Sequence, residues 1–157
     1  MSSDRAPGAD DDGFGTVTLF ENLRALAANE FVPKRTVEFQ FYMAEDAGLL
    51  GSQEITSNYK RNNINVVTML QLNMAGRMPN GTSYLDGIIR CGYACSDHAS
   101  FNKYVFPSAK AFEAITGGAD NPYIHTFKDI IENGIGLNPV LEFAKHSLAY
   151  LHETSNA

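Results

Sequence analysis

The chain has 157 residues, 44% of them apolar and 19% charged, a composition that suits one globular domain with a sizeable core. A formal charge of −6 and a pI near 5.1, with no clustered Lys/Arg patch, argue against a nucleic-acid partner, whose phosphates demand a basic face. No apolar run is long enough to span a bilayer, so no membrane partner is expected. The first residues, M-S-S-D-R-A-P-G-A-D-D-D, contain no hydrophobic core of a signal peptide.

Residues 1–15 read as loop, with Ala6-Pro7-Gly8-Ala9 leading into Asp10, Asp11 and Asp12 and then Gly13-Phe14-Gly15. Residues 16–29 repeat Val17, Phe20, Leu23, Leu26 and Ala27 with helical period. Acids before a helix are favoured by its dipole, so one Asp is expected to cap it and two remain in surplus. In residues 37–43, Val37, Phe39, Phe41 and Met43 alternate with Glu38, Gln40 and Tyr42, the period of a strand with two unequal faces. Glu45 and Asp46 follow at once, and Ala47-Gly48-Leu49-Leu50-Gly51-Ser52 opens a turn and a helix running to about Arg61. In a helix-covered sheet, the carboxyl ends of strands are where ligands sit. Adjacent acids there have two readings. One is a solvated loop; the other is a division of labour in which one carboxylate binds a metal while its neighbour moves protons.

Residues 64–74, I-N-V-V-T-M-L-Q-L-N-M, carry apolar side chains on both faces, as a central covered strand does. Strand, helix and strand imply a right-handed crossover and a parallel pair, with Asn73 at the second strand's carboxyl end. A turn-rich link (75–90) precedes a tight loop entering a short helix (91–102) and a strand (107–114). A Gly-rich loop then carries His125, and residues 139–153 form an amphipathic helix with Val140, Leu141, Phe143, Ala144, Leu148 and Leu151 on its apolar side. His146 and His152 lie in that helix and read as surface or packing residues, whereas His98 and His125 sit in loops. Spacing thus reaches a carboxylate-rich site joined by one His, a composition that suits zinc in a hydrolase. The two cysteines, Cys91 and Cys95, stand four apart in C-G-Y-A-C. They are two free thiols, half of a metal set without its second pair, or a short-loop disulfide, which is the preferred reading and implies an oxidising compartment.

Five strings, A-P-G-A-D-D-D-G (6–13), P-K-R-T-V-E-F-Q-F-Y-M-A-E-D-A-G-L-L-G-S-Q (33–53), L-Q-L-N-M (70–74), C-G-Y-A-C-S-D-H-A-S (91–100) and N-P-Y-I-H-T (121–126), together resemble one family. In this order they are similar to the secreted zinc aminopeptidases of the bacterial and fungal leucine aminopeptidase type. The resemblance covers most of the chain. It implies a three-layer αβα sandwich with a mostly parallel sheet, abbreviated at its N-terminus, in a single zinc-peptidase-like domain over 1–157. It also implies removal of N-terminal residues from peptide substrates, and secretion. Asp11 falls on the family's bridging metal ligand and Glu45 on its general base. Asp46 and His125 fall on ligands of the first zinc. Tyr93, Ile124 and the Cys91–Cys95 pair fall beside the substrate pocket, where the family forms a disulfide.

The departures concern the second zinc. The family's upstream His would fall before residue 1, and Asn73 stands where an Asp ligand is expected, exchanging an anion for a neutral amide. Asp46 stands for the usual Glu and shortens that arm by a methylene, and the 75–90 link is shorter than the family's. The resemblance therefore implies one zinc site, held by Asp11, Asp46 and His125, with the second doubtful. The alternative is a truncated, non-catalytic relative.

Overall fold

A computed structural model describes residues 6–76, 95–112, 121–133 and 136–157. The chain divides into two compact units, one of Met1–Phe39, Leu72–Ile89 and Phe112–Ala157, the other of Gln40–Gln71 and Arg90–Ala111.

The first unit begins with a wide turn, Ala9–Phe14, closed by the Gly13 N–H donating to the Gly8 carbonyl at 2.9 Å. Gly8 adopts φ 67°, and a Cβ on Gly13 would stand 2.7 Å from the Gly8 oxygen, so the turn requires glycine at both ends. Inside it Asp11 and Asp12 leave helical geometry, and the peptide between them is cis. Helix α1 (Gly15–Ala28) follows; its cap residue, Phe14, makes no side-chain cap. The Gly15 N–H at the start of the helix donates to the Asp12 main-chain carbonyl.

Helix α1 packs against the last helix, here α4 (Leu137–Asn156), but not with its apolar repeat. Gly15, Thr18 and Asn22 are the buried residues of α1, facing a unit whose α4 buries Val140, Phe143, Ala144 and Ser147. Asn22 Nδ2 donates to Ser147 Oγ at 2.6 Å, and the Thr18 hydroxyl donates back to the Phe14 carbonyl at 2.7 Å. Val17, Phe20 and Leu23 are 53%, 57% and 44% exposed, so the helical period predicts the helix while its small polar stripe makes the close approach. Leu141, assigned to the apolar side of α4, is also exposed. Pro139 sits in the first turn of α4, where its missing N–H has no intrahelical partner to lose. At the other end Lys34 Nζ donates to the Asn156 carbonyl at 2.9 Å and the Arg35 N–H to Ser155 at 3.1 Å, filling acceptors that a helix terminus leaves open.

The alternating stretch 37–43 forms no strand within the described residues. Alternation supplies two faces, but a strand is defined by its ladder of backbone bonds, which side-chain alternation alone does not specify. In the second unit Tyr42, Gln40 and Tyr59 join through their side chains. The backbone then winds through residues 43–51: Glu45 accepts from Gly48 N–H (3.0 Å) and Leu49 N–H (2.8 Å), Ala44 from Leu50 (3.2 Å) and Met43 from Gly51 (3.1 Å). This winding launches α2 (Leu50–Arg61), which packs on α3 (His98–Lys103) through Ser52 and Ser100, 2.8 Å between hydroxyls, and through Tyr59 edge-on to Phe101.

Two strands, β1 (Met69–Asn73) and β2 (Ser108–Phe112), form a small parallel sheet beginning at the Met69 N–H to Pro107 carbonyl bond of 2.9 Å. The expected strand over 64–74 is thus confined to its second half, and 107–114 is a strand as far as the described residues run. Among the described residues no helix is long and apolar enough to cross a membrane.

Candidate functional site

The turn over residues 9–14 projects Asp11, and a second turn over residues 121–129 projects His125. They meet: His125 Nε2 lies 3.0 Å from Asp11 Oδ2, with the Asp11 side chain 16% and the His125 side chain 57% exposed. His125 takes a left-handed backbone, φ 59°, uncommon for a residue with a Cβ and sustained here by its surroundings. Asn121 opens that turn by accepting the Tyr123 N–H on its own side chain at 3.0 Å, the local bond that makes Asn-Pro a turn initiator. Thr126 N–H to Tyr123 (3.1 Å) and Asp129 N–H to Thr126 (3.2 Å) continue it.

Beneath the pair lies a buried polar group that sequence reading missed. Asp10 and Asp129 are fully buried, and Asn121 is 2% exposed. The Asp129 carboxylate accepts the Asp10 N–H at 3.2 Å and the Asp11 N–H at 3.1 Å. Asn121 Nδ2 donates to both acids at 3.1 Å, and Gly76 N–H reaches Asp10 at 2.9 Å. The loop carrying His125 was expected; nothing local signalled that the Asn121 side chain would bridge two acids over a hundred positions apart in sequence.

Asp12 accepts the Met74 N–H at 3.1 Å. Burial pushes its carboxyl from 3.8 up to about 8, with the neighbouring Asp11 charge adding to the rise and the Met74 and Gly15 amides opposing it. Asn73 is buried at the end of β1, one residue before Met74. Ile124 is half-buried beside His125.

Glu45 and Asp46 belong to the second unit, Glu45 half-buried and Asp46 exposed, at the head of the winding that starts α2. Cys95 is half-buried; Cys91 and Tyr93 lie outside the described residues, as does most of the 75–90 link. His98 opens α3, its imidazole pushed down by burial and then by Lys110, while burial pushes Asp97 up against the Ser52 hydroxyl. An oxygen and an imidazole nitrogen converging at 3.0 Å can hold a metal between them. No group of three such side chains converges among the described residues.

Residues 2–88, more than half the chain, match the peptidase family M28. The chain belongs to peptidase family M28. Leucine aminopeptidase 1 of Penicillium rubens is 39% identical over 97% of this M28 chain and 48% of its own length; that of Emericella nidulans is 40% identical over 97% and 47%. The structure of the LapA aminopeptidase of Legionella pneumophila superimposes with a TM-score of 0.86 at 30% identity, covering 99% of this chain and 48% of LapA. BSAP, a zinc aminopeptidase from Bacillus subtilis, shares the fold at a TM-score of 0.82 and 23% identity over 99% of this chain and 44% of BSAP. The α/β class expected from the sequence is therefore that of these aminopeptidases, and the M28 chain spans about half the length of the curated relatives it matches.

Proposed function

We propose that this chain is part of a single zinc-peptidase-like domain that releases N-terminal residues from peptides. The observation that carries the reading is the Asp11–His125 convergence at 3.0 Å in a member of peptidase family M28. A carboxylate oxygen and an imidazole nitrogen are ordinary zinc donors, so the pair fits zinc, and Asp46 is assigned as the third ligand. Zinc held there would supply Lewis acidity towards the scissile carbonyl. Glu45 takes the proton of the attacking water and returns it to the leaving amine. Asn73 brings no negative charge to a second metal, so one zinc site is assigned.

Tyr93 and Ile124 are assigned to the substrate pocket. A Cys91–Cys95 disulfide and secretion complete the reading; that no described cysteine is a free thiol supports the disulfide. One rival is a truncated and non-catalytic relative, favoured by Asn73 where the resemblance implies an acid.

The deciding measurement is zinc stoichiometry on the purified chain, paired with hydrolysis of a leucine chromogenic amide. The expected result is about one zinc per chain, and a Glu45→Gln variant that keeps its zinc but loses roughly 10²–10⁴ in kcat. Full activity in Glu45→Gln would sink the mechanism. No zinc and no turnover would establish the rival.

A further inference from the structure

Two carboxyl groups without solvent exposure, Asp10 and Asp129, are a costly way to close a turn, because each polar group loses its water. Their partners reveal what the arrangement does. Asp129 accepts the amides of Asp10 and Asp11, so its two oxygens grip the backbone from which the Asp11 side chain departs. Asn121 stands four residues before His125 and Asp129 four after it, and Asn121 Nδ2 joins Asp129 to Asp10. The Ala9 N–H adds a further tie, to the Asp129 main-chain carbonyl at 3.1 Å. Both ends of the His125 turn are thereby fastened to the Asp11 turn by groups that touch neither His125 Nε2 nor Asp11 Oδ2.

We propose that Asp129, with Asn121 as its bridge, is a positioning residue that sets the Asp11 carboxylate and the His125 imidazole at ligand spacing before any metal arrives. The inference rests on the zinc reading above. The physical reason is preorganisation: a donor pair held by its own supporting shell gives up little freedom on binding, whereas donors on two unfastened turns must be ordered by the metal. Each support here is a charge-assisted or buried hydrogen bond, the kind that holds geometry most firmly. Asp129→Asn keeps the volume and one acceptor but turns an NH₂ towards an amide that Asp129 now accepts, either Asp10 or Asp11.

The test uses the full chain and two readouts other than turnover. Zinc affinity is measured by competition with a chromophoric chelator, well below the melting temperature of each metal-free protein. Asp129→Asn should bind zinc about 10–100-fold more weakly than the parent chain, the usual cost of losing a supporting partner. In the metal-free parent chain, the Asp10 and Asp11 amides should already exchange hydrogen at least about 10³-fold more slowly than unstructured amides, since both are hydrogen-bonded to a fully buried carboxyl group. Unchanged zinc affinity in a folded Asp129→Asn protein overturns the inference. So does rapid exchange of those two amides without zinc, a measurement that needs no variant to fold. Failure of the parent chain to bind zinc overturns the zinc reading instead, and amide exchange then decides the preorganisation alone.

Discussion

The Asp11–His125 turns and the Glu45–Asp46 turn both present acids, yet they are built in opposite ways. In the first, side chains do the holding: Asp129 and Asp10 are buried beneath the pair and accept backbone amides from distant parts of the chain, and Asn121 joins the two carboxyl groups. In the second, backbone holds backbone: four N–H groups between residues 48 and 51 return to carbonyls between residues 43 and 45. Glu45 is half-buried and Asp46 exposed. The difference teaches where each region is vulnerable. The first should fail when a side chain is removed, and the second when the backbone is forced out of its conformation.

The largest expected effect is on the buried group. Asn121→Ala removes the donor shared by two buried carboxylates and should cost about 3 kcal/mol of stability in urea unfolding. Asp46→Ala, at an exposed position, should stay within about 0.5 kcal/mol. Equal costs for the two would break the comparison. Next comes the backbone of the Glu45 turn. Gly48 has φ 109° with nothing within 4 Å of an added Cβ, so Gly48→Ala should cost about 1–3 kcal/mol through conformation alone. A neutral Gly48→Ala would mean that the turn relaxes freely.

The last expected effect, spread over several pH units, is a pH slope in chelator-treated protein. Burial raises Asp12 from 3.8 to about 8, so between those values the folded chain keeps a proton that the unfolded chain has released. Its contribution is fully present below about pH 4 and is lost as pH rises through about 8. Melting temperatures across that range should fall with pH, and Asp12→Asn should flatten the fall. An unchanged slope in Asp12→Asn would place the titration elsewhere.

Helices were readable because their signal is local. The period in residues 16–29, the Gly-rich turn before Ser52 and the Pro139 start each lie within a few residues of the structure they specify, and α1, α2 and α4 occur where expected. The strand expected over 37–43 fails for the opposite reason, since alternation describes one segment whereas a strand is a bond between two. Asp11 and His125 were legible through the A-P-G-A-D-D-D-G and N-P-Y-I-H-T strings. Asp129, which stands outside both, was not.

The order of residues sufficed for the helices and the α/β class, because backbone periodicity and motif strings are properties of short stretches. Tertiary structure decided which face of α1 is buried, turning Thr18 and Asn22 inward and leaving Phe20 outside. It also decided that Asp10 and Asn121, 111 residues apart, share a hydrogen bond with no solvent around it. Burial and long-range hydrogen bonding depend on what a residue meets, and that is settled only when the chain closes on itself.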